Sequence, residues 1–213
     1  MDSTVLLLIF ELTVFLFSVV IHEVSHGVIA EKLGDPTARL AGRLTLNPLK
    51  HLDPFGSVLL PILLAVSHLP IIGWAKPVPY NPYALRDPKS GAAKIAAAGP
   101  LSNFALALAF GIAVRIVVAS GNVALAPLVV FFSLIVYINV LLGVFNLVPL
   151  PPLDGSKVLF AFLPSTERGH AIARFLEQYG MFLVLLFVFF GFELIIPVMN
   201  FLFFVFTGQR FGG

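Results

Sequence analysis

Apolar runs long enough to cross a bilayer dominate this chain and constrain its fold more than any motif does. A transmembrane helix needs about 20 predominantly apolar residues at about 1.5 Å rise per residue. Runs of that kind cover Val5 to Ile21, Ala92 to Ala119, Val123 to Val148 and Tyr179 to Phe206, and a shorter one covers Phe55 to Ile72. In lipid no water satisfies exposed backbone groups, so a spanning segment must bond its own N–H and C=O groups. The expected fold is therefore an all-α polytopic membrane protein with about four transmembrane helices. A charged fraction of 11% and a mean hydropathy of +1.00 agree, against about 25% charged residues in soluble domains.

With 213 residues, these runs leave room for a single membrane domain over 1–213, with a core over 1–165 and a C-terminal apolar segment over 179–206. The net charge of +2 gives no nucleic-acid footprint, so the expected surroundings are the lipid bilayer and other membrane proteins. There is no cysteine. Disulfides and thiolate ligands are excluded, and any metal must be held by His, Asp, Glu or water. The first run has no basic segment before it and leads into His22-Glu23 rather than a small-residue cleavage site, so it reads as a retained helix.

The pattern of the first helix continues to Leu33, where Gly34-Asp35-Pro36 stops it. Leu40 to Asn47 alternates apolar and polar residues, which predicts a short strand or β-hairpin. Trp74 to Pro88, rich in Pro, Tyr and Asn, reads as an interfacial loop. Glu193 and Pro197 interrupt the last apolar run.

His22-Glu23-Val24-Ser25-His26 is the sharpest chemical signal. Residues four apart share one helix face, so both imidazoles can reach one metal ion. Glu23 sits beside them and can take a proton from a water there. From the chain's own composition about 0.003 such matches are expected by chance. The bland alternative is a pair of polar residues facing the interface near a helix end, but ionisable residues within a membrane segment are costly and usually functional. A zinc hydrolase normally supplies a third protein ligand and leaves a position open. Asp154 is the best candidate: Pro149, Pro151 and Pro152 break the preceding helix, and Gly155 permits a tight turn behind the carboxylate. An ordinary N-cap for a helix starting at Ser156 is the competing reading. Glu11 lies about 16 Å before His22 by helical rise, too far to share an ion. Glu193 is either a buried hydrogen-bonding group or the mark of a bend. His51 and His68 have no partner at ligand spacing.

At these residues the sequence resembles the site-2 protease family of intramembrane zinc metalloproteases. His-Glu-Val-Ser-His and Asn146…Leu153-Asp154-Gly155 carry the resemblance, with Ala98-Gly99-Pro100-Leu101-Ser102-Asn103, the stretch from Asn47 to Pro54 and the stretch from Gly73 to Pro79. Together these resemble the compact prokaryotic members without PDZ or CBS domains, over roughly residues 14 to 165. The resemblance implies one zinc ion per chain on His22, His26 and Asp154, Glu23 as general base, and transmembrane protein substrates. It also implies substrate-backbone or oxyanion contacts for Asn103 and Asn146.

Topology follows from parity. His22 lies towards the far end of the first helix and Asp154 follows the far end of the 123–148 helix, so the two helices must point the same way and the 92–119 helix must run back. The 55–72 segment must then enter and leave on one face, as a re-entrant segment buried in protein can. This arrangement puts 11 of the 13 Lys and Arg on one side, all but Arg115 and Arg210. The positive-inside rule makes that side cytoplasmic, in a multi-pass protein of the cell membrane whose site opens towards the cytoplasm. Two readings of other classes remain: a proteolytically silent relative that binds membrane proteins, against which the intact Glu23 argues, and a metal-ion transporter, which would spread its ligands along a path.

Overall fold

The computed structural model describes residues 3–59, 63, 66, 67 and 75–210. Among these residues the chain is helical and holds no strand. Helix α1 (Ser3–Lys32) is followed by a single turn, α2 (Thr37–Leu40). Helix α3 (Pro88–Ala119) starts where Asp87 accepts the N–H groups of Lys89 and Ser90, with proline at its first position. Helix α4 (Ala126–Asn146) precedes the short α5 (Asp154–Phe162), then α6 (Glu167–Leu186) and α7 (Ile196–Thr207). Four helical stretches among the described residues are long and apolar enough to cross a membrane. Their outer faces expose Leu8, Leu12, Phe15, Ile116 and Phe182. That surface would be untenable in water and is what lipid requires.

Side-chain contacts fix the direction of each crossing. Phe10 stacks edge-on against Phe131 at 4.8 Å, and eight residues further along both helices Asn139 donates to the Ser18 hydroxyl. Helices α1 and α4 therefore run parallel. Asn103 meets Asn139, while Phe110, further along α3, meets Phe132, earlier in α4. Helix α3 therefore runs back, and the order is the one that parity demanded.

The last apolar run makes one bent crossing. Gly180 lies against Pro151, Phe187 stands 6.3 Å from Phe145, and Met199 and Phe203 pack with Ala107, Val136 and Val140. At the far end Arg115 donates to the carbonyls of Val205 and Phe206, at 2.7 and 2.8 Å. Residues 180–207 thus pass from the Asp154 end of the bundle to the Arg115 end. The first half of α6 is mostly exposed and extends beyond the bundle. The bend consists of a π-helical turn (Phe187–Gly191) and a 3₁₀ turn (Phe192–Leu194) ahead of Pro197. Glu193 is exposed there, so it marks the bend and is not a buried hydrogen-bonding group.

The predicted strand over Leu40 to Asn47 is replaced by a turn of helix and a loop. Asp35, fully buried, accepts from the N–H and hydroxyl of Thr37 and from the N–H of Asn81, which starts helix α2. Burial disfavours its charge, but these three donors outweigh that and hold the Asp35 carboxyl below its ordinary pKa. Gly42 then adopts φ +64°, and the N–H of Arg43 returns to the Ala38 carbonyl. These local bonds leave little for a ladder. The side chains also defy the alternation, since Arg43 is 7% exposed and Leu46 is 57% exposed.

Arg43 is buried because it clasps two loops. Its guanidinium donates to the carbonyls of Lys50, Lys76 and Pro77, and the His51 carbonyl accepts from the Lys76 N–H at 2.8 Å. The two flanks of the Phe55 to Ile72 segment are therefore joined. Its start is π-helical (Pro54–Leu59); most of the segment predicted as re-entrant lies outside the described residues.

Candidate metal centre

His22 and His26, one turn apart on α1, both present Nε2 to Oδ2 of Asp154, at 3.0 and 3.2 Å. Their ring centroids are 4.7 Å apart. All three residues are buried, at 6%, 9% and 9% exposure. Asp154 is the first residue of α5 and turns its carboxylate towards the imidazoles, so the N-cap reading fails: the cap position is Leu153.

The other ring nitrogens identify the tautomers. Nδ1 of His22 lies 2.7 Å from Oδ1 of Asn103, and Nδ1 of His26 lies 2.6 Å from the Ile95 carbonyl. Both oxygens can only accept, so both Nδ1 atoms carry a proton. The Asn103 amide is oriented in turn, its Nδ2 donating to Oδ1 of Asn139 at 3.0 Å, while Asn139 donates to the Ser18 hydroxyl at 3.0 Å. Asn103 and Asn139 are fully buried. Neutral imidazoles so tethered direct two Nε2 lone pairs at an anionic oxygen. Three acceptors converge with no donor of their own between them, an arrangement that calls for positive charge. Two nitrogens and a carboxylate oxygen fit zinc, leaving one tetrahedral position free.

Glu23 belongs to the same cluster: ligand atoms of His22, Glu23 and His26 lie within 4.8 Å of one another. Its Oε2 accepts the Val78 N–H at 2.9 Å. Because residues 77 and 79 are prolines, that is the one backbone donor among the three. Gly99 on α3 completes the enclosure. A Cβ there would sit 2.5 Å from the His22 ring and 2.6 Å from that of His26, so any side chain would displace the imidazoles.

Of the sequence candidates, His22, Glu23, His26, Asp154 and Asn103 come together. Asn146 is half-buried at the last turn of α4, and its Nδ2 donates to the Leu142 carbonyl at 3.0 Å. His51 stays in the loop clasp, its Nε2 against the Thr45 carbonyl, and His68 lies outside the described residues. Ser18, Ile95 and Asn139 went unread in the sequence, and Val78 entered only within the Gly73 to Pro79 stretch, with no role of its own. Asn139 alone carried a visible signal, as an amide inside an apolar run.

The chain is 39% identical over 189 residues to YwhC of Bacillus subtilis, named as a candidate zinc metalloprotease; the match covers 86% of this chain and 82% of YwhC. The chain belongs to peptidase family M50. The model of that family, the site-2 protease family, matches residues 111–191, which include Asp154. Rip2 of Mycolicibacterium smegmatis, also named as a candidate zinc metalloprotease, is 30% identical over 188 residues, or 87% of this chain and 66% of Rip2. The zinc metalloprotease MJ0392 of Methanocaldococcus jannaschii is 29% identical over 198 residues, or 83% of this chain and 46% of that protein. No solved structure matches the chain. Membership in M50 and the four apolar helices make this a multi-pass membrane protein of a metallopeptidase family.

Proposed function

We propose that this M50 protein is an intramembrane zinc endopeptidase that hydrolyses peptide bonds in or near transmembrane segments of membrane proteins. The observation that carries the reading is the convergence of three buried acceptors beside a carboxylate, deep in a bundle of membrane helices. His22, His26 and Asp154 hold one zinc ion per chain. Zinc, when bound, supplies Lewis acidity to a water and to the scissile carbonyl. Glu23 takes the proton of the attacking water on Oε1, since Oε2 is engaged by Val78, and delivers it to the leaving amine. Asn103 is a positioning residue rather than a substrate contact, because it is fully buried and bonded to His22. Asn146 keeps one amide N–H for a substrate carbonyl or oxyanion.

Membrane-embedded substrates suit the depth of the site. His22 lies ten residues before the end of α1, about 15 Å by helical rise, so a soluble chain has no ready access and water must reach the site from that end. The joined flanks of the 55–72 segment support a re-entrant path, and the basic loops support an active site facing the cytoplasm. Single cysteines at Lys50 and Lys89 should be labelled from the cytoplasmic side and one at Asn122 from the other; labelling of Lys50→Cys and Lys89→Cys from opposite faces would refute the re-entrant path.

The function is tested in proteoliposomes with a reporter carrying one transmembrane segment. Wild type should cut it at or near that segment, and Glu23→Gln should cut it roughly 10²–10⁴-fold more slowly with zinc retained. Equal rates for the two proteins would overturn the role of Glu23. Cleavage of unstructured soluble peptides alone would overturn the intramembrane reading.

A further inference from the structure

Outside the metal centre, the end of the bundle that carries the basic loops holds a cavity of about 310 Å³ between the end of α1 and the start of α3. Lys32, Arg86 and Lys94 line it, with Ser90 and Asp87. The three cations are exposed and make no ion pair among the described residues. The Asp87 carboxylate caps the Lys89 and Ser90 N–H groups, so the cavity keeps a net charge of about +2 with one anion already engaged. Directly adjoining it runs an apolar groove of about 670 Å³ between α1 and α3, lined by Val28, Ile29, Ala97, Ala98 and Leu101. Lys32, Leu33 and Lys94 line both. The two spaces are therefore the polar and apolar halves of one amphiphilic site.

We infer that this site binds one anionic phospholipid, with its phosphate among Lys32, Arg86 and Lys94 and an acyl chain along the α1–α3 groove. Basic pockets between transmembrane helices at the membrane surface suit anionic headgroups, each Lys or Arg adding attraction that the surrounding lipid does not screen away. A free phosphate would leave the apolar groove empty. Ser25 and Ala98 in the groove wall are neighbours of His26 and Gly99. A lipid seated there braces α3 against α1 beside the metal centre without touching its ligands.

The test reads lipid binding, so its result is independent of the proteolytic reading. Purified zinc-loaded protein in detergent is titrated with dioleoyl-phosphatidylglycerol or dioleoyl-phosphatidylcholine, and bound lipids are counted by native mass spectrometry. The site predicts one phosphatidylglycerol held at least tenfold more tightly than phosphatidylcholine. The triple variant K32Q/R86Q/K94Q should lose that preference while keeping zinc and its lipid-free melting temperature, and Leu101→Asp, which places a carboxylate in the groove, should weaken it with all three cations intact. Equal affinity for the two lipids, or an unchanged preference in the triple variant, would overturn the proposal. Displacement of the lipid by millimolar inorganic phosphate would instead show a simple anion site. Tighter binding of a transmembrane peptide with acidic flanking residues would show a substrate contact, and either result also sinks the lipid assignment.

Discussion

The two halves of the helix bundle are held together by different chemistry. Where α1, α3 and α4 meet at the level of His22, the contact is polar: Ser18, Asn103 and Asn139 bond to one another and to the imidazole, with Gly99 pressed against both rings. Where the last crossing packs on α3 and α4, the contact is apolar, built from Ala107, Val140, Met199, Phe203 and Phe187, with Arg115 tying down the end of α7. Within lipid, apolar packing gains nothing from leaving water, so helices associate through close fit and through polar groups that find partners. The polar interface therefore specifies one arrangement of the candidate metal donors, whereas the apolar interface supplies packing alone. Damage to the first should appear in metal binding, and damage to the second in stability.

Substitutions can break this division, taken in order of their effect on zinc. Asp154→Ala should remove nearly all tightly bound zinc, and Gly99→Ala should come close to it by pushing both rings aside; metal analysis after gel filtration measures both. Full zinc occupancy in Gly99→Ala would show that α3 can shift without cost to the centre. Asn103→Leu removes the acceptor that fixes the His22 tautomer, and zinc affinity should fall roughly 10–100-fold, read by competition with a chromogenic chelator. Met199→Ala, in the apolar half, should cost about 2 kcal/mol of stability, the cavity share alone, in a thermal or denaturant unfolding assay while zinc affinity stays at the wild-type value. Arg115→Gln should be milder still, about 1 kcal/mol, again with zinc unchanged. A Met199→Ala protein that folds normally but loses zinc would erase the contrast between the halves.

The sequence made the candidate ligands legible because their chemistry is local. A His-Glu-x-x-His turn states its geometry in five residues, and a proline-broken helix followed by Asp-Gly places a carboxylate at a defined end. Parity then ordered the crossings without any contact being known. What stayed hidden depends on distant partners. Asn103 resembled a substrate contact because an amide in a membrane helix can serve many ends, and only the position of His22 on α1 selects one. The alternation from Leu40 to Asn47 suggested a strand, but pattern alone does not register that Asp35 accepts from Thr37 or that Arg43 donates to three carbonyls. Glu193 and Pro197 gave the site of the bend in the last run, while the start of α6 at Glu167 escaped notice because its first half is polar and set by the Thr166 cap.

The central claim is that two imidazoles and one carboxylate of this chain jointly hold a metal ion, and X-ray absorption at the zinc edge of the purified protein tests it most directly. The account predicts one zinc per chain, with two imidazole nitrogens at about 2.0–2.1 Å and a carboxylate oxygen at about 2.0–2.2 Å. In Asp154→Ala any residual zinc should lose the carboxylate contribution. A zinc spectrum with fewer than two imidazoles, or one that is the same in wild type and Asp154→Ala, would contradict it.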